Sequence, residues 1–254
     1  MQEARIQLEA LSQRLRAVEE QWRNGQEEAV VQSVATAAGL LARQRLHEWL
    51  GVEEASQEAE KKQAGRQRWI PAMAVVMDAA ARAWHGEGGE AGGLVVWIGR
   101  TIWPYAVSLP AQVVADSVMI DVPRMEDRLW AIDLVLRSAA VTAVVADGSG
   151  LSLRATRRLQ LAAEAGRSLA LMARPTHEAS QRSAAAYRWI VRTLPTEQRE
   201  HANPRWEVRL LRGRDATWSG QSVGRIVEWH HGEGLVSIPA LVVDPADQAK
   251  KRRA

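Results

Sequence analysis

The chain has 254 residues, of which 46% are hydrophobic and 25% charged, with a net charge of +3. That is enough apolar material for one good core with small appendages, which excludes fibrous and fully disordered classes. Cysteine is absent, excluding disulfides, thiolate catalysis and Cys-ligated metals.

The charge is unevenly spread. Residues 1–68 carry a net −1, 69–148 a net −4, 149–214 a net +8 built on thirteen arginines, and 215–254 balance at zero. A basic pole of this kind attracts phosphates or acidic proteins.

The first segment, "MQEARIQLEALSQRLRAVEEQW", is charged from its third residue, and no stretch approaches the roughly 18 apolar residues needed to cross a bilayer. The expectation is a soluble cytoplasmic protein without a membrane partner. Within the segment Ile6, Leu8, Leu11, Leu15, Val18 and Trp22 fall mostly three or four apart, the spacing of an amphipathic helix. Its stripe needs a surface to cover it. Ile6, Leu8, Leu11 and Leu15 are candidate contacts for a partner or a neighbouring subunit, and docking on the chain's own domain is the equal alternative. Residues 1–34 read as this helix and a linker, 35–243 as the main domain and 244–254 as a polar tail.

"VVQSVATAAGLLARQRLHEWLG" reads as a connector running into a first strand at about residues 45 to 50. Residues 53–68 are Glu, Gln, Lys, Ala and Arg with almost nothing apolar, an exposed loop or frayed helix. A helix is expected from Pro71 through "AMAVVMDAAARAWHG". "LVVWIG", "SVMIDV", "VTAVVAD" and "SLALMAR" are apolar runs of strand length, the pattern of strands buried on both faces. "RMEDRLWAIDLVLRSAA" and "SLRATRRLQLAAEAG" alternate with them and are helical by period.

Strands alternating with helices of this length predict an α/β fold with right-handed crossovers and a mainly parallel sheet. After residue 185, "AYRWIVRTL", "RWEVRLLRGR" and "GRIVEWHHGEGLVSIPALVV" alternate apolar and charged residues, predicting antiparallel, half-solvated strands.

Parallel strands present functional groups at their carboxyl ends. The first strand runs into "WLGVEEASQEAEKKQAG", which has no Gly-x-x-x-x-Gly-Lys-Ser/Thr and so lacks the amide cradle, the phosphate lysine and the magnesium hydroxyl together. The second ends in Gly99, Arg100 and Thr101, with no carboxylate to act as a base. The fourth ends in Asp147, which is placed either to hold a metal through water or to cap the following turn or the helix at Ser152. His230 and His231 are adjacent on a strand and face opposite sides, so they do not share a metal. Catalytic residues, metal ligands and cofactors are therefore expected to be absent.

Arg154, Arg157 and Arg158 lie three and four apart with Leu153, Leu159 and Leu161 facing elsewhere, which predicts an exposed basic ridge on one helix. With the tail cations Lys250, Lys251, Arg252 and Arg253 they are the candidate nucleic-acid contacts. Of eleven tryptophans, Trp49, Trp69, Trp84, Trp97 and Trp130 sit in apolar contexts and are expected in the core. Trp103, in "RTIWPYA", is the candidate for surface contact.

The succession "LHEWLG", "GGLVVWIGRTIWPYAVSL", "DRLWAIDLVLRSAAVTAVVAD", "LSLRATRRLQLAAEAGRSLALMARP" and "RWEVRLLRGR" resembles the RecA-like fold, and more narrowly the ImuA family of bacterial SOS-mutagenesis accessory proteins. "LWAIDLVLRSAAVTAVVA" and "LRATRRLQLAAEAG" carry the resemblance most specifically. It implies a non-catalytic role in DNA-damage tolerance beside an ImuB-like, catalytically impaired Y-family protein and an error-prone DNA polymerase, on the nucleoid when DNA is damaged. RecA and single-stranded DNA are the further partners it admits. RecA ancestry would put a phosphate loop after Gly51, a catalytic Glu after the second strand and a magnesium Asp at the end of the fourth. Asp147 alone answers to that set, as a vestigial magnesium position. The connections "GSGLSL" and "PTHEASQRS", where RecA carries its DNA-binding loops, are short.

Two other readings stay open on the residues. One is an atypical nucleotide-dependent, DNA-binding ATPase of the RecA superfamily using Lys61 or Lys62 and Asp147, although the glycine-free stretch before those lysines forms no amide nest. The other is a DNA-binding module in its own right, carried by the arginine ridge and the tail.

Overall fold

The computed structural model describes residues 12–13, 15–16, 33–36, 39–52, 73–86, 92–100, 102–195, 203–213, 224–230 and 234–238. Eleven strands form among them: β1 (Ser33–Thr36), β2 (Gly39–Ala42), β3 (Leu46–Val52), β4 (Leu94–Ile98), β5 (Ser117–Ile120), β6 (Val141–Asp147), β7 (Leu169–Pro175), β8 (Tyr187–Leu194), β9 (Arg205–Arg212), β10 (Arg225–His230) and β11 (Gly234–Ile238). The helices are α1 (Met73–His85), α2 (Ala111–Ala115), α3 (Met125–Leu136) and α4 (Leu153–Gly166).

Nine strands make one sheet in the order β5-β4-β6-β7-β3-β8-β9-β10-β11. The six from β5 to β8 pair in parallel, and β9, β10 and β11 continue antiparallel. From β3 the chain crosses through α1 outward to β4, then returns through α3 and α4 to β6 and β7. Right-handed crossovers in opposite directions put α1 on one face and α3 and α4 on the other. Two covered faces explain why β4, β6 and β7 are buried at every residue.

Local chemistry fixes the helix ends. Ser152 caps α4, its hydroxyl accepting the Ala155 amide at 3.2 Å, and Arg167 closes the helix in the left-handed region at φ 59°. Gly166 is needed for packing: a Cβ there would lie 1.9 Å from the Leu136 carbonyl at the end of α3.

The sheet's centre is aromatic. His47 stacks on Tyr187 at 4.7 Å and Trp49 on Trp189 at 5.2 Å, each pair in register across β3 and β8. Each such pair adds about 0.5–1.5 kcal/mol beyond area burial. Three indole N–H groups are paired as well: Trp97 donates to Ser117 Oγ, Trp84 to Asp116 Oδ2 and Trp189 to His47 Nδ1, while the buried Trp49 Nε1 has no partner among the described residues. Trp49, Trp84 and Trp97 are core as expected. Trp130 is a correction, since it is 44% exposed on α3; an apolar neighbourhood in sequence wraps around a helix and includes its outer face. Trp69 lies outside the described residues.

Two expectations about elements also change. The stretch read as a connector holds the antiparallel pair β1–β2, whose four-residue strands are too short to show alternation. β8, read as antiparallel and half-solvated, is the sixth parallel strand, buried from Tyr187 to Trp189. Its alternation is real, but the charged partner Arg188 points into a buried ion network.

Candidate functional site at the carboxyl edge of the parallel strands

The carboxyl ends of β4 and β6 meet at Gly99 and Asp147. Gly99 has φ +123°, a region that disfavours side chains, and a Cβ there would sit 2.8 Å from Asp147 Cβ. The position therefore has room for no carboxylate. Arg100 turns outward to Asp121 at 2.9 Å, both exposed, a surface pair of little energetic weight.

Asp147 is 8% exposed and fully engaged. Its Oδ1 accepts the Ser149 amide at 2.9 Å and the Ser149 hydroxyl at 2.6 Å. Its Oδ2 accepts Arg128 Nη1 at 3.0 Å, and Arg128 Nη2 donates to the Ser149 carbonyl at 3.2 Å. Both alternatives weighed from sequence concern this carboxylate, and the turn-capping one describes its contacts. In addition α3 delivers a guanidinium to it. A metal at Asp147 would have to displace that buried cation and compete with the hydroxyl, so the residues as arranged do not fit a magnesium ligand. The cap of α4 is Ser152 itself.

Beneath the connection from β7 to β8 lies a second ion cluster that sequence reasoning missed. Glu48 on β3 is wholly buried between Arg174 on β7, at 2.6 Å, and Arg188 on β8, at 2.7 Å. Arg174 also binds Glu178 and Gln181 and donates to the Leu151 carbonyl. Arg188 donates to the carbonyls of Ala179 and Glu178, Ser183 donates to Glu48 at 2.6 Å, and the Gly150 amide donates to Glu178. This crossover between parallel strands contains a 3-10 turn, Thr176–Ser180, and no α-helix. The cluster ties down the backbone that a helix would otherwise organise. A signal for it exists in the sequence: Glu48 and Arg174 are charges set inside apolar strand runs, where solvent is out of reach.

The basic pole is smaller in space than in sequence. Arg174 and Arg188 are buried, Arg205 is spent on Glu228, and Arg192 lies 3.8 Å from Glu207. Arg154, Arg157 and Arg158 all face outward on α4. Arg158 is committed to Asp133 at 2.8 Å, where Arg137 also binds. Burial pushes the Asp133 carboxyl up, but hydrogen bonds and charge from Arg158 and Arg137 outweigh this and hold it below its ordinary value. The free part of the ridge is Arg154 and Arg157, which have no ion pair among the described residues. Leu153 and Leu161, expected to face away, are 45% and 54% exposed beside them.

Leu15 is 4% exposed and part of the core. That corrects its reading as a partner contact in favour of docking on the chain's own domain. Ile6, Leu8, Leu11, Lys250, Lys251, Arg252 and Arg253 lie outside the described residues, as do Lys61 and Lys62. Trp103 is 46% exposed and Tyr105 63%. Among the described residues no three His, Asp or Glu side chains gather in a group that could hold a metal, and no helix is long and apolar enough to cross a membrane.

No protein-family model matches the chain, and no curated protein sequence does. Among solved structures it is similar to the RadB recombinase, with a TM-score of 0.53 and 10% identity over 79% of this chain and 94% of that one. Likeness at this identity concerns the fold, which is RecA-like: a mainly parallel sheet flanked by helices and extended by carboxyl-terminal antiparallel strands.

Proposed function

We propose that the chain is a non-catalytic accessory protein on a RecA-like frame, working in bacterial DNA-damage tolerance and translesion synthesis. The observation that carries the reading is Asp147. The acidic group at the position expected for a magnesium ligand is bound by Arg128 and Ser149, and Gly99 leaves no space for a carboxylate beside it. The absence of a phosphate-loop motif after Gly51 supports the same conclusion.

Its partners, on the ImuA resemblance, are an ImuB-like Y-family protein and an error-prone polymerase, with RecA as a further one. Single-stranded DNA is contacted through exposed arginines on α4. Base stacking on Trp103 and Tyr105 would add sequence-tolerant affinity.

The test is a titration of labelled single-stranded DNA with the purified protein at several salt concentrations, with and without ATP and magnesium, together with co-elution with the two polymerase-type partners. Salt-dependent DNA binding indifferent to ATP, and a stable complex with the ImuB-like protein, are expected. DNA binding that requires ATP would overturn the reading in favour of a nucleotide-dependent ATPase.

A further inference from the structure

An open groove of ≈ 550 Å³ lies beside α4, lined by Arg157, Gln160, Leu161 and Glu164, by the segment 183–186 and by Arg212 and Gly213 at the end of β9. The volume is within the range of small-ligand sites, about 300–1,000 Å³. Gln160 and Glu164 mark it as distant from Asp147. Gln160 Oε1 accepts the Leu46 amide at the start of β3, and Glu164 pairs with Arg45 at 3.0 Å. The groove therefore opens toward the amino ends of the parallel strands, away from the carboxyl edge.

Its polar lining is unbalanced. Gln160 Oε1 also accepts the Ala186 amide, its Nε2 donates to Glu164, and Glu164 is neutralised by Arg45. Arg212 is oriented by two bonds from a single nitrogen, Nη2, to the carbonyls of Ser183 and Ala185, each 2.8 Å. Its Nε and Nη1 make no hydrogen bond, and it has no carboxylate partner, among the described residues. Burial first and the charge of Arg188 second pull its pKa below that of an ordinary arginine, against the opposing charge of Glu48. Arg157 faces the same groove without an ion pair among the described residues. Two cations thus line one groove, Arg157 without an ion pair among the described residues and Arg212 with Nε and Nη1 left over, beside a wall made apolar by Leu161, Ala184, Ala185 and Ala186.

We infer that this groove binds a nucleotide unit, its phosphate held by Arg157 and Arg212 and its base lying against Leu161 and the alanine wall. Guanidinium pairs suit phosphate because their planar donors match its oxygens. The phosphate is that of a free nucleotide or of a single strand. The inference rests on the lining of the groove and on the single-strand contact proposed above for the α4 arginines, which it makes specific.

The test uses the full chain with labelled oligo(dT) and with dTMP as competitor. Arg157→Glu and Leu161→Glu, both on the exposed side of α4, are expected to weaken oligo(dT) binding about tenfold or more, as loss of a charge-assisted contact does. Arg157→Glu should also lower the salt slope by about 0.7. Arg124→Glu, an exposed position at the start of α3 and outside the groove, should change affinity by about twofold at most. Displacement of oligo(dT) by dTMP identifies a free nucleotide as sufficient; displacement by unlabelled oligo alone identifies the strand. Equal losses in Arg124→Glu and Arg157→Glu, unchanged binding by Leu161→Glu, or failure of the wild-type chain to bind either ligand overturns the inference.

Discussion

Acidification should destabilise this protein through His47. The side chain is wholly buried on β3, with Nε2 2.9 Å from the Ala42 carbonyl and Nδ1 3.2 Å from Trp189 Nε1. A carbonyl only accepts and an indole N–H only donates, so His47 is the neutral tautomer with its proton on Nε2. Burial lowers its pKa from 6.5 to about 4, the bond to Ala42 opposing and the charge of Arg45 assisting. Because the folded value lies below the unfolded one, the unfolded chain binds the extra proton first, and stability is lost as pH falls from 6.5 toward 4. The complete loss is about 3 kcal/mol, and about 2 kcal/mol of it is gone by pH 5. Urea unfolding followed by tryptophan fluorescence reads this directly, since Trp189 stacks on the imidazole and Trp49 on Trp189. His47→Gln should be less stable at neutral pH yet lose little on going to pH 5. The lowered carboxyls of Asp133 and Glu228 act further down, below their ordinary values of 3.8 and 4.5. A wild-type midpoint that stays constant between pH 7 and pH 5, or an equal fall in His47→Gln, would refute the reasoning.

Three further outcomes follow from particular contacts. Arg128→Met leaves Asp147 charged and unpaired in a buried position, and should cost about 3–5 kcal/mol in urea unfolding, while adding Asp147→Leu should restore much of it. Glu48→Gln leaves Arg174 and Arg188 facing one another, with a loss of similar size, about 3–5 kcal/mol, and increased proteolysis of the 176–186 connection as the second readout. Gly166→Ala drives a methyl into the Leu136 carbonyl and should lower stability by about 1–3 kcal/mol despite alanine's better helix propensity, as thermal unfolding will show.

The parallel sheet was legible because its strands are buried on two faces and leave uninterrupted apolar runs, as in "LVVWIG" and "VTAVVAD". β8 and the β1–β2 pair were not. In β8 an alternating pattern was present, but Arg188 is satisfied inside by Glu48, a partner 140 positions away that no local window contains. The same non-locality hid the site. Asp147 was visible at its strand end, whereas Arg128, nineteen positions earlier, reads only as a helix cation until the fold brings α3 over β6. Summing charge along the sequence overstated the basic pole, because Arg174, Arg188 and Arg158 are paired in space. Arg212, counted there as one cation among many, gains its distinction from an orientation set by two backbone carbonyls.

The most direct measurement of the central claim is thermal unfolding of the wild-type chain with increasing ATP and magnesium, in parallel with Asp147→Asn. A carboxylate already bound by Arg128 gives magnesium nothing to hold, so the account predicts the same response of Tm to nucleotide and magnesium in the wild type and in Asp147→Asn. A wild-type Tm that rises with ATP and magnesium, by the mass action of a ligand on the folded state, and ceases to rise in Asp147→Asn would contradict it.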